Sequence, residues 1–248
     1  MIALLRESWS DVAARKEIAA AQFAGNLVLL ALLYWWLGLA VSTALRVALV
    51  AVAALMLVAG SAWLHGAGFA AFRPLEATGA FSAALRNLLK LCLITAIFTA
   101  ALLAWDYALG QQQRVANFTA SALTFSSQKP VSPESVAWIF PWKLRAWFVL
   151  LGLLLMPMAA AAVGTIDRPG KVLRRFSYWI AGILLALFGL YVPWLLIQWI
   201  PAAQSLALEL ASAAARFALA YTLAIASWLV LAALIARLGR QTTGEEQL

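Results

Sequence analysis

Charged side chains are scarce in this chain of 248 residues: they make up 11% of it, whereas apolar residues make up 65%. The mean hydropathy of +0.90 lies far above that of soluble globular domains. The composition therefore predicts an integral membrane protein. The apolar runs are continuous and lack the alternation of a membrane β-barrel, so only α-helices can satisfy their backbone in lipid. We predict an all-α, polytopic membrane protein.

Cysteine and histidine are almost absent. The single Cys92 lies inside an apolar run and cannot form an intrachain disulfide, and the single His65 lies at the end of another run. The sequence contains no metal-ligand spacing, no paired cysteine motif and no phosphate-binding glycine loop. We therefore predict neither a metal nor another cofactor within this chain.

Acidic residues are fewer than basic ones, and the formal net charge is +8. The basic residues form short clusters beside apolar runs, and no basic stripe of the kind that binds nucleic acid occurs. This pattern predicts the lipid bilayer, with its anionic headgroups, as the partner. The densest cluster supplies the candidate contacts with anionic lipid, namely Arg168, Lys171, Arg174 and Arg175.

Six apolar runs are long enough to cross a hydrocarbon core of about 30 Å as helices. We predict one transmembrane domain at 21–240, with spans at about 22–40, 44–64, 88–109, 145–164, 177–200 and 217–236. Pro157 and Pro193 fall inside two of these spans, where each removes a backbone donor.

The segments outside the spans are short. Residues 1–20 predict an amphipathic helix at the membrane interface, because one helical face carries Ile2, Leu5, Trp9 and Val12. The sizeable connection at 110–143 is predicted as a loop, in which Ser132 and Pro133 indicate a helix start. The tail at 241–248 is predicted to be disordered.

Six spans place both termini on one side, and the basic residues indicate which side that is. The side of the termini carries twelve of them: Arg6, Arg15, Lys16, Arg73, Arg86, Lys90, Arg168, Lys171, Arg174, Arg175, Arg237 and Arg240. The other side carries six: Arg46, Arg114, Lys129, Lys143, Arg145 and Arg216. The bias predicts both termini in the cytoplasm, the loop 110–143 outside it, and location in the inner membrane.

Four charges gather at the predicted non-cytoplasmic rim: Arg46, Asp106, Glu209 and Arg216. We expect Arg46 to pair with Asp106 or with Glu209, because the lower dielectric at the rim strengthens such a contact. The alternative is that each charge reaches water independently.

Two functions of different class remain open. The first is a noncatalytic accessory or permease-like subunit that handles apolar or lipid-like substrates, or a partner protein, with another membrane chain or an ATPase as its partner. The scarcity of polar residues deep in the spans disfavours a hydrophilic substrate. The alternative is a membrane-embedded enzyme acting on lipid, with His65 beside Glu76 or Asp167, or with Asp106, as candidate catalytic groups.

Overall fold

The computed structural model describes residues 1–39, 42–73, 79–137, 139–201 and 205–245. It is 87% helical, and its described residues contain no strand, which confirms the all-α prediction. The helices are α1 (Ile2–Ala13), α2 (Lys16–Leu37), α3 (Ala44–Ala70), α4 (Ala80–Arg86), α5 (Leu88–Gly110), α6 (Gln112–Ser127), α7 (Pro133–Ala137), α8 (Ile139–Ala162), α9 (Pro169–Leu173), α10 (Phe176–Ala186), α11 (Val192–Gln198) and α12 (Leu206–Glu245). A π-helical turn, Leu187–Tyr191, joins α10 to α11.

Six helical segments are long and apolar enough to cross a membrane, as the sequence predicted. They are Lys16–Leu37, Ala44–Ala70, Leu88–Tyr107, Arg145–Ala162, Phe176–Gln198 and Leu206–Arg240. The largest departure from the predicted bounds is the last span, which begins about a dozen residues earlier than predicted because α12 is one continuous helix.

The chain divides into two compact units, residues 1–93 with 156–248, and residues 94–155. The single transmembrane domain at 21–240 stays a prediction. In the first unit α12 is the central element, since it packs against α1, α2, α3, α9, α10 and α11. Every residue of α12 from Leu229 to Ala236 is buried, so this part of the helix is covered on all sides.

The fifth span changes its helical geometry just before a proline. Pro193 lacks the backbone N–H that an α-helix would use at that position, and its ring crowds the carbonyl four residues earlier. The π-helical turn at Leu187–Tyr191 takes up this mismatch. Gly189, within the turn, lies close against Ser227 of α12, so the irregular turn sits at a tight helix contact.

The second unit contains α5 from Ile94 to its end, the helices α6 and α7, and α8 as far as Leu155. Aromatic contacts join α5 to α8: Phe98 meets Phe148 at 5.3 Å and Trp105 stacks on Trp147 at 5.6 Å between ring centroids. The helix start predicted at Ser132 and Pro133 is confirmed, because α7 begins at Pro133.

Helix α6 occupies Gln112–Ser127, within the segment predicted as a loop. The tail predicted to be disordered at 241–248 differs in part, because 241–245 continue α12, while 246–248 lie outside the described residues. Extending an existing helix needs no new nucleus, which explains this difference. At the other end, residues 2–13 form the helix α1, whose Trp9 is exposed and whose Val12 is buried. Its place at the membrane interface stays a prediction.

Candidate functional site

Charged residues from both ends of the chain meet in the first unit. Arg237 of α12 reaches two carboxylates of α1: its Nη1 lies 2.7 Å from Glu7 Oε2 and its Nη2 lies 2.8 Å from Asp11 Oδ2. Arg240, one turn later, places Nη2 at 3.8 Å from the same Asp11 oxygen. The carboxylates stand four residues apart on α1 and the guanidinium groups three apart on α12, so each pair shares a helix face.

The end of α3 completes this cluster. Arg240 Nη1 donates to the backbone carbonyl of Phe72 at 3.1 Å. The Arg15 guanidinium, at the junction of α1 and α2, stands over the Phe72 ring at 5.1 Å from its centroid, which is within cation–π distance. We call this group the Phe72 cluster, and its members are Glu7, Asp11, Arg15, Phe72, Arg237 and Arg240.

Arg15 is poorly compensated within the Phe72 cluster. Its Nη1 is buried and has no hydrogen-bond partner among the described residues. Burial, and then the charge of Arg240, lower the pKa of Arg15, and Asp11 only partly opposes them. The neighbourhood therefore disfavours the charged form of this side chain.

A second arginine, Arg73, also has a buried nitrogen without a hydrogen-bond partner among the described residues. Arg73 follows Phe72, and its Nε is buried without a hydrogen-bond partner in the described part of the chain. Burial, and then Arg86, lower the pKa of Arg73. Its guanidinium approaches Gly164, where a Cβ would lie 3.2 Å from Arg73 Nη2, and the φ of +74° at this position also favours glycine.

Polar side chains inside the spans join neighbouring helices. The Gln22 amide of α2 donates to the Leu64 carbonyl of α3 at 2.6 Å, and this contact is buried. The Tyr221 hydroxyl of α12 donates to the Phe23 carbonyl of α2. Lipid offers these polar side chains no hydrogen-bond partner. The two hydrogen bonds therefore join α2 to α3 and α12 to α2.

His65 is held in a packed position. Its ring N–H at Nδ1 donates to the Ser61 carbonyl, one turn earlier, at 2.8 Å. The ring meets Trp228 of α12 edge to face, with 5.1 Å between the centroids. Of the acids considered beside it, Asp167 is exposed and Glu76 lies outside the described residues. Among the described residues, no group of three metal-ligating side chains occurs.

Two of the four predicted rim residues, Arg46 and Arg216, form hydrogen bonds with neutral groups. Arg46 Nη1 donates to Ser42 Oγ at 3.0 Å, within one helical turn, and the described part of the chain shows no ion pair between Arg46 and Glu209. Arg216 Nη1 donates to the carbonyls of Leu196 and Trp199, at the end of the fifth span. The pairing of Arg46 with Asp106, which belongs to the second unit, stays a prediction.

The basic cluster predicted to contact anionic lipid surrounds α9. Arg168 precedes α9 and Arg175 precedes α10, so both lie at helix starts. Arg168 and Arg174 are exposed, whereas Lys171 and Arg175 are half-buried. Their contact with anionic lipid stays a prediction.

The sequence predicted that Arg15, Arg237 and Arg240 lie on the same side of the membrane, but it did not identify the Phe72 cluster. The available signal was the regular spacing of Glu7 with Asp11 and of Arg237 with Arg240. No protein-family model, no curated protein and no solved structure matches the chain.

Proposed function

We propose that this chain is a noncatalytic subunit of the inner membrane, with both termini in the cytoplasm. It is an accessory or permease-like component that acts with a second membrane chain or an ATPase, and it handles apolar or lipid-like substrates. The orientation rests on the division of basic residues, twelve on one side and six on the other.

The uneven burial of the spans carries the proposal. In the most apolar part of each span, 44% of the residues are buried for Leu206–Arg240, 22% for Arg145–Ala162 and for Phe176–Gln198, 11% for α2 and α3, and 6% for Leu88–Tyr107. In the first unit α12 is thus held by its neighbours, while α2, α3 and the first residues of α5 leave apolar flanks uncovered. Side chains such as Leu55 of α3 and Leu93 of α5 project from these flanks. Such flanks suit a second membrane chain as well as lipid.

The internal polar contacts support an apolar substrate. Gln22 and Tyr221, which could line a hydrophilic path, instead donate to backbone carbonyls of neighbouring helices. A path for ions or sugars needs polar groups that face the passage. The His65 ring packs edge to face against Trp228, and in the described part of the chain its hydrogen bonds go to Ser61 and not to a carboxylate, so the acid that a histidine–acid catalytic pair requires does not lie beside it.

Site-specific photo-crosslinking in native membranes tests the proposal. A benzophenone amino acid at Leu55 or Leu93 is expected to give a discrete product with a second polypeptide. The control position is Leu234, which is fully buried in α12 and should give no intermolecular product. Crosslinks to lipid alone from both exposed positions would contradict a partner chain on these flanks.

A further inference from the structure

The charges of the Phe72 cluster do not balance. Three guanidinium groups, those of Arg15, Arg237 and Arg240, face two carboxylates, those of Glu7 and Asp11. Both carboxylates contact Arg237, and Asp11 also lies near Arg240. The Arg15 Nη1 atom makes no hydrogen bond to a described residue; its guanidinium stands over the Phe72 ring and is only partly compensated by the charge of Asp11. One positive charge is therefore left over, at a half-buried guanidinium.

A half-buried guanidinium without an acceptor is unfavourable, because leaving water costs it hydrogen bonds that nothing replaces. Cation–π contact with Phe72 compensates part of this cost, but it uses the face of the guanidinium and not its N–H groups. An anion in the plane of the guanidinium would accept those N–H groups. Arg240 stands close enough to lower the Arg15 pKa, and an anion placed between the two would relieve their repulsion.

The depth of the cluster indicates the chemistry of this anion. Arg15 immediately precedes the span Lys16–Leu37, Phe72 follows the end of the span Ala44–Ala70, and Arg240 is the last residue of the span Leu206–Arg240. Three span ends on one side therefore coincide at the cluster. The ends of membrane-spanning helices lie at the level of the lipid headgroups, where phosphate is the abundant anion.

We propose that Arg15, assisted by Arg240, binds a phosphate group beside Phe72, and that an anionic phospholipid supplies it. Arginine suits this role, because its planar fork of N–H donors matches two phosphate oxygens. The site differs from the basic loop at 168–175, and it does not depend on the proposed function, only on the helices crossing a membrane. A bound headgroup would join the start of α2 to the ends of α3 and α12.

Thermal unfolding of the purified chain in neutral detergent tests the site. Titration with phosphatidylglycerol is expected to raise the unfolding midpoint, and phosphatidylcholine with the same acyl chains is expected to act more weakly. Arg15→Gln should weaken the apparent affinity for phosphatidylglycerol about tenfold, the effect of losing a charged hydrogen-bonding pair. Arg6→Gln is the matched control, because Arg6 is exposed on α1 and the charge change is identical. It should alter the affinity less than about twofold.

The unfolding midpoint without lipid separates a binding role from a structural one. Arg15→Gln is expected to keep or raise this midpoint, since it removes an uncompensated charge. A lower midpoint in neutral detergent would show that Arg15 serves packing, and equal losses of affinity in Arg15→Gln and Arg6→Gln would show nonspecific attraction. Either result overturns the proposal. If inorganic phosphate reproduces the Arg15-dependent shift, the phosphate site stands and the lipid source is rejected.

Discussion

The Arg237 guanidinium holds the Asp11 carboxylate with two nitrogens: Nη2 lies 2.8 Å and Nε lies 3.2 Å from Oδ2. The residues are 226 positions apart, so this contact joins the first helix to the last. Each side chain is about three-quarters buried, with exposed fractions of 24% for Arg237 and 27% for Asp11. Partial burial weakens the screening by water, and hydrogen bonds between charged groups are stronger than those between neutral ones.

The first prediction concerns this ion pair. Arg237→Gln and Asp11→Asn should each lower the free energy of unfolding, and a double-mutant cycle should give a coupling of about 1 kcal/mol, since the pair is only partly shielded from solvent. The measurement is equilibrium unfolding in mixed micelles with increasing dodecyl sulfate. Additive losses would mean that the two side chains do not stabilise each other.

The second prediction concerns the packing of α3 against α12. A Cβ at Gly68 would run into the Trp228 ring and lie 3.0 Å from Gln22 Nε2. Gly68→Ala should therefore cost about 1 to 3 kcal/mol of unfolding free energy through overpacking. Gly152→Ala is the control, because nothing lies within 4 Å of its Cβ position, and it should be neutral or stabilising by about 0.5 to 1 kcal/mol. Equal effects at both glycines would contradict the close contact.

The third prediction concerns the buried hydrogen bond between α2 and α3. Gln22→Leu removes the donor to the Leu64 carbonyl and should lower the free energy of unfolding by about 1 kcal/mol, within the range of such bonds in membranes. Thr222→Ala is the control, since that exposed hydroxyl donates only to Ala218 of its own helix. A loss at Gln22 no larger than that at Thr222 would argue against a bond that joins the helices.

The fourth prediction is topology, tested by single cysteines in a Cys92→Ser background. Positions 126 and 170 are exposed, and the structure leaves space for a side chain at Gly170. A membrane-impermeant thiol reagent applied to intact cells should label Ser126→Cys and leave Gly170→Cys unlabelled until the cells are permeabilised. The reverse pattern would invert the orientation proposed from the basic residues.

The sequence predicted the helical class and the number of spans because each apolar run is long and nearly free of charge. Boundaries were harder: α2 begins at Lys16, since charged residues can extend a helix beyond the hydrocarbon core. Helix α6 was missed because Gln112–Ser127 is too polar to resemble a span. The Phe72 cluster could not be predicted, because pairing Arg237 with Asp11 depends on tertiary packing of helices at opposite ends of the chain.

Native mass spectrometry of complexes extracted directly from the membrane tests most directly whether the chain works as a subunit. The expected result is a species that contains this chain of 26.8 kDa together with a second, different polypeptide. Substitutions on the exposed flanks, such as Leu55→Ala combined with Leu93→Ala, should deplete that species, whereas Phe125→Ala, at an exposed site outside the spans, should not. Recovery of the chain alone, or with lipid only, under the same gentle extraction would contradict the proposed function.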